Sequence, residues 1–523
     1  MNTKLRCSWV LACVAAVVVF GNLNSARAAD RADAEHASAP GFKGATGWLN
    51  TEKPISLDDL KGQVVVLDFW TYCCINCIHI MPDLKFLEEK YKDQPLVVIG
   101  VHSGKFDEEK DADHIRQAVL RHNLTHPIAI DNDMNVWNAF DVHSWPTLVL
   151  IAPDGSVVGS FSGEGHRDQL DRKIASLLDI YRQKGQLGKH LNFKPERVSF
   201  KSGELEFPGK VLADAAGQRL FVSDTNHHRI VVASLDGKIS LSIGSGKPGL
   251  LDGDFAQAQF HQPQGLALSA DGKTLYVADT ENHAIRAVDL EKKAVTTIAG
   301  TGAQFKAFMP PEGPAKAAAL SSPWDLALVG RGLYIAMAGT HQIWVIDLDA
   351  GTIGVFAGTR REAAIDAPNR AASFAQPSGL DTDGKVLYVA DSEASSIRTV
   401  ELGDKGATVT LAGSGDLFGF GATDAAGSAA RFQHPLGVAL AGDTLFVADT
   451  FNNLIRTIDP KTGSTKTWLG TGKNDPGTPQ LIGLYEPGGL SAIGDTLYIA
   501  DTNHHRVLAV DIKTKKATIL IGG

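Results

Sequence analysis

The sequence predicts two domains of different class: an α/β unit, then an all-β disc of six blades. Three observations carry this reading. Between residues 46 and 183, β-branched apolar runs alternate with segments whose apolar residues recur at helical spacing. Beyond residue 207 a phrase of leucine, aromatic, aliphatic, small residue and aspartate returns six times, ending at Asp224, Asp279, Met337, Asp391, Asp449 and Asp501, each 52 to 58 residues after the last. Finally, Cys73, Cys74 and Cys77 cluster on a turn between a strand and a helix.

Taken in order, residues 1–28 read as a secretory signal. Lys4 and Arg6 precede an apolar stretch over 9–20, and Ala26-Arg27-Ala28 fits a small-x-small cleavage site. The apolar stretch is shorter than the about 20 residues a membrane span needs. The expectation is a protein exported across the inner membrane to the periplasm, with its mature chain starting at Ala29 and no membrane span. Removing Lys4, Arg6 and Arg27 without any acid takes the formal net charge from −9 to −12. With no basic block, nucleic acid and anionic lipid are poor partners. Cys7 and Cys13 leave with the signal, so this is no disulfide-stapled scaffold.

Residues 29–45 are expected as a flexible leader. In the α/β unit, strands are expected at 64–67, 97–101 and 127–130, with a hairpin of 147–151 and 157–161 around Pro153-Asp154-Gly155. Ile80, Leu84, Leu87 and Tyr91 mark the helix after the cysteines; further helices are expected at 107–122 and 168–182. Residues 184–206 are expected as a linker, with one strand at 198–200.

A thiol in the first turn of a helix faces unpaired backbone N–H groups and the positive end of the helix dipole, which favour its thiolate. Cys74 is the expected nucleophile. Cys77, one turn on, is placed to resolve a mixed disulfide. The same Cys-x-x-Cys spacing could be half of a zinc site, with His79 nearby, but no second pair follows. Cys73 is either a small buried filler or a redox accessory, since a disulfide between neighbours needs a strained ring.

Asp68 before Cys74, Pro82 after Cys77 and Trp145-Pro146-Thr147 stand in register with these cysteines, and together residues 46–183 resemble thioredoxin-like oxidoreductases of the periplasmic type. The resemblance implies that Asp68 moves protons to and from Cys77, and that Pro146, in cis, presents backbone to an incoming chain. Read without it, Asp68 is a local pairing group, Pro82 a first-turn proline and Pro146 an ordinary trans turn. Cys73 stands where thioredoxins have tryptophan, and Ile75-Asn76 replaces Gly-Pro, so no reduction potential carries over.

Each repeat supplies short strands separated by turn residues, with Pro-x-Gly-like entries as at Pro263-Gln264-Gly265. One such sheet cannot bury both faces alone, so the units must stack around an axis. Asn282-His283, with His228, His341 and His505 in the same column, make the units resemble NHL repeats; blade three departs at Met337 and blade four at Ser395. A column repeated in nearly every blade is expected to be scaffold, the aspartates accepting N–H bonds in the turn that follows them. As a whole the chain resembles NHL-repeat-containing thioredoxin-like proteins. The implied activity is thiol–disulfide exchange with a protein or peptide partner, without cofactor or metal, the propeller holding the partner. The alternatives are a binding scaffold with a degenerate thioredoxin-like domain and a metal-dependent propeller enzyme.

Overall fold

The computed structural model describes residues 37–307, 311–403, 405–474 and 482–523. The expected signal at 1–28, and the expected leader as far as residue 36, lie outside the described residues. In the N-terminal domain the elements run β1 (Gly47–Leu49), β2 (Val64–Trp70), α1 (Ile75–Lys90), β3 (Leu96–His102), α2 (Ala112–Arg121), β4 (Ile128–Ile130), α3 (Asn135–Ala139), β5 (Thr147–Ile151), β6 (Val157–Ser162) and α4 (Arg167–Gln183). They form one sheet of order β1-β4-β3-β2-β5-β6, in which β2 pairs parallel with β3 and antiparallel with β5. Central β2 is buried along its whole length, which is why it reads as an unbroken apolar run rather than an alternation. Val64 and Val66 pack under Ile80, Leu84 and Leu87 of α1 and Ile174 of α4, while Val65, Leu67 and Phe69 face Val136 and Trp137 on the other side.

Three local expectations need correction. The helix over 107–122 is broken: a 3-10 turn at Glu108–Lys110 precedes α2, because Asp111 caps α2 by accepting the N–H groups of Asp113 and His114. Of the leader expected to be mobile, the described part is fastened, with Ala39 buried and its N–H donated to Gly155 at 2.9 Å. The linker at 184–206 is a strap along the first domain: the Gly188 N–H donates to the Gly62 carbonyl at 2.9 Å, and Glu196 accepts from Arg116. Its expected strand at 198–200 is instead a 3-10 turn at Glu196–Val198.

The second domain is six antiparallel sheets, each built from contiguous chain, from Pro208–Asp214 in blade one to Ala517–Gly522 in blade six. Among the described residues, blades one, five and six have four strands, and blades two to four add a two-residue fifth, Gly253–Asp254, Gly313–Pro314 and Ala367–Pro368. The repeated aspartates are scaffold, but what they hold in the following turn is a side chain, His227, Asn282, Asn452 or His504 at 2.8 Å, and the backbone N–H they accept comes from further back. Asp224, Asp279, Asp391, Asp449 and Asp501 each accept the N–H of a residue 16 to 18 positions earlier, at 2.7–2.8 Å, pinning the loop that enters their own blade. In blades two, four and five a buried arginine seven residues on (Arg286, Arg398, Arg456) pairs with that aspartate at 2.8–2.9 Å. Blade three replaces both partners at once: Met337 stands for the aspartate and Trp344 for the arginine, both fully buried. An apolar pair thus fills the space of an ion pair, which avoids stranding either charge.

The histidine column joins neighbouring blades. His228, His283, His341, Ser395, Asn453 and His505 each adopt positive φ and accept the N–H of the residue just before the next blade's entry proline. The last of these, Phe207 to His505 at 3.0 Å, closes blade six onto blade one; Thr502 adds a bond to Pro208 across the same seam. At the axis the Lys210 ammonium meets Asp325 at 3.1 Å and donates to the carbonyls of Ser378 and Leu436, so a side-chain cation spans four blades.

Candidate functional site

The two domains meet at the leading end of α1. Every residue before an entry proline (Phe207, Gln262, Ser322, Gln376, His434, Glu486) has positive φ and lies on one face of the disc, and that face carries the thioredoxin-like domain. Gln262 donates to the Arg121 carbonyl, Ser322 meets His79 Nε2 at 2.9 Å, and Glu486 holds both His114 at 2.8 Å and Arg121 at 3.1 Å. Lys105 forms a short buried ion pair with Glu393 of blade four. Blade three explains itself here: Ala338 packs among Cys77, Ile78 and Met81, and a Cβ on Gly339 would lie 2.7 Å from the His79 ring. Its departures from the repeat make room for α1.

Cys74 is the N-cap of α1, in extended conformation, and the Cys77 N–H points at its sulfur from 3.4 Å. Cys74 is partly exposed and Cys77 fully buried. Burial pushes the Cys77 thiol up, reinforced by its hydrogen bond to Cys74 and the charge on Asp68. Asp68, on β2 beneath Cys77, is itself buried; one carboxyl oxygen has no hydrogen-bond partner, and burial raises its pKa to about 7 against the pull of His126. The Trp145–Pro146 bond is cis, and the Pro146 carbonyl accepts from Gly163 at 2.8 Å. All four residues named from sequence thus gather around the leading end of α1, β2 and β5.

Cys73 turns the other way. Its N–H donates to Glu109 at 2.9 Å, and burial, with Glu109 and Glu393 close by, holds its thiol far above the usual range. It sits buried in the seam between the domains. His79 is a cross-domain connector, its Nδ1 meeting Glu164 at 3.0 Å and Gln304 at 2.7 Å. Among the described residues no group of three or more His, Cys, Asp or Glu is arranged to hold a metal ion.

Sequence reasoning missed Gln376, whose amide reaches from blade four to the cysteine turn. It accepts the Ile75 N–H at 3.0 Å and donates to the Cys73 carbonyl at 2.9 Å. It also missed Glu393, Glu486 and His114. The available signal for Gln376 and Glu486 was the residue before each entry proline, which is polar in five of the six blades. Beside the motif opens a cleft of about 480 Å³ lined by Asn76, Glu164, Gln304, Lys306 and Arg360.

Fold and site define a thioredoxin-like domain seated on an NHL-type propeller. Family models agree, a thioredoxin-like model matching residues 62–157 and an NHL repeat model matching 260–287. Human NHL repeat-containing protein 2 is 44% identical over 522 residues, covering 92% of this chain and 71% of its own length. The chain belongs to the family of that protein. Protein SUPPRESSOR OF QUENCHING 1, chloroplastic, of Arabidopsis thaliana is 43% identical over 91% of this chain and 47% of its own. Thiol-disulfide oxidoreductase ResA of Bacillus cereus is 35% identical over 119 residues, 23% of this chain and 66% of its own.

Proposed function

We propose that the chain is a thiol–disulfide oxidoreductase working outside the cytoplasm, with Cys74 as nucleophile, Cys77 as resolving thiol and the propeller holding the partner beside them. The observation that carries this reading is the placement of Cys74 at the cap of α1, with the Cys77 N–H directed at its sulfur. The likeness of the first domain to the Bacillus thiol-disulfide oxidoreductase supports the chemistry, and the pattern of residues 1–28 supports export. In the forward sense the Cys74 thiolate attacks one sulfur of a partner disulfide, forming a mixed disulfide and releasing the partner's other sulfur as thiolate. Cys77 passes its proton toward Asp68 and attacks Cys74, so the partner leaves as a dithiol and a Cys74–Cys77 disulfide remains. The partner is reduced by two electrons and the protein is oxidised by two. The cleft beside Asn76, walled by both domains, suits an extended peptide segment next to the cis-proline strand.

Cys77→Ser is expected to accumulate a covalent partner on Cys74, seen as a band removed by dithiothreitol on non-reducing gels, whereas Cys74→Ser accumulates none. Equal trapping by both reverses the assignment of roles. A second reading, a binding scaffold that no longer turns over, is favoured by the way the propeller covers the cysteine turn through Gln376. It requires the wild type to reduce a model disulfide no faster than the Cys74→Ser, Cys77→Ser double variant.

A further inference from the structure

Resting on the proposed thiol chemistry, we infer that Gln376 of the propeller is a positioning residue for Cys74, clamping the peptide units on either side of it and claiming the first N–H of α1. Its side chain makes one bond before Cys74, to the Cys73 carbonyl at 2.9 Å, and one after it, from the Ile75 N–H at 3.0 Å. The residue is 2% exposed, and its own N–H is held by His341 of the preceding blade at 3.0 Å. The clamp is therefore rigid at its base. The first N–H groups of a helix are the donors that stabilise a thiolate at its cap. Here the Ile75 N–H is spent on a neutral amide, and the Cys77 N–H at 3.4 Å is the donor directed at the sulfur. Docking of the propeller thus sets both the geometry of Cys74 and its reactivity, and the second domain acts directly on the first domain's chemistry.

The test reads alkylation of Cys74 by iodoacetamide at pH 7, located by peptide mass spectrometry, in the full chain. It needs no turnover, so its outcome stands apart from that of the trapping experiment. Gln376→Met keeps the side-chain volume and frees the Ile75 N–H, adding an unpaired donor to the positive helix end beside the sulfur, so alkylation is expected to quicken by ~fivefold or more. Ile75→Pro removes the same N–H. Proline is well suited to the first position of a helix, and Cys74 before it already has the extended conformation a pre-proline residue prefers (φ −80°, ψ 114°). Alone it is expected to leave the rate within about twofold of wild type, and Gln376→Met added to it is expected to change nothing further.

A merely structural Gln376 would, when lost, loosen the seam and quicken alkylation in both backgrounds equally; that result overturns the inference. So does an unchanged rate in Gln376→Met. Should that variant fail to fold, Ile75→Pro decides by itself: a several-fold slowing would mean that the Ile75 N–H already serves the sulfur rather than Gln376.

Discussion

At Asp68, burial sets the chemistry. An exposed carboxyl releases its proton near 3.8, whereas this one, buried on β2 with one oxygen unpartnered, does so at about 7. Between those values the unfolded chain has lost a proton that the native protein keeps, so this group's contribution to stability falls as pH rises from about 4 to about 7 and then stays low. Asp68→Asn removes the penalty. Relative to wild type it is expected to gain ~2 kcal/mol or more at pH 8 and little at pH 4, measured by urea unfolding, while slowing resolution by Cys77. On the proposed mechanism, stability is forgone at this residue to keep a proton acceptor under a buried thiol.

At the scale of a blade, the question is how a repeat tolerates a missing member. Asp279–Arg286, Asp391–Arg398 and Asp449–Arg456 are buried ion pairs; Met337–Trp344 is their apolar counterpart. Met337→Asp strands a buried carboxylate and is expected to cost ~3–5 kcal/mol; Trp344→Arg strands a guanidinium at similar cost. Together they can pair, so the double variant is expected to lose less than the sum of the two in thermal unfolding. Additive losses would show that the blade cannot rebuild the pair. The helix α1 makes the same point from the other side: its first turn is capped in part by Gln376, a residue 301 positions away in sequence.

At the scale of the molecule, docking joins an apolar cluster to buried ion pairs, and the ion pairs titrate. Burial works to lower the His114 pKa, but hydrogen bonds to Glu108 and Glu486 override it and raise it to about 9; Glu486, held by Arg121 and His114 against its own burial, is lowered to about 2. The histidine's contribution is complete below its ordinary value of 6.5 and is lost as pH rises through 9; that of Glu486 is complete above 4.5 and lost as pH falls toward 2. Wild type is expected to lose ~2 kcal/mol more than His114→Gln between pH 6.5 and 9.5 in urea unfolding. Parallel pH profiles for the two proteins would remove His114 from the seam's energetics.

Much of this was legible in the chain. Periodicity marked β2, β3 and α1, since a buried strand and the helix stripe that lies on the sheet stamp their burial on local sequence, and six returns of one phrase gave the blade count. Cys74, Cys77, Asp68 and Pro146 stood out because their chemistry depends on position within a single domain. The strap at 184–206 and the break before α2 were not visible, as a Gly- and Lys-rich stretch reads alike whether it hangs free or lies bonded along a surface. Nor was the clamp by Gln376, the role of His79, or the fit of Gly339 beneath it. Each of these is a contact between residues hundreds of positions apart, and no local pattern encodes its partner. Sequence alone determined the two domains and the pair of sulfurs; tertiary structure decided that the disc seats against the turn that carries them, because only the closed ring brings six pre-proline side chains onto one face.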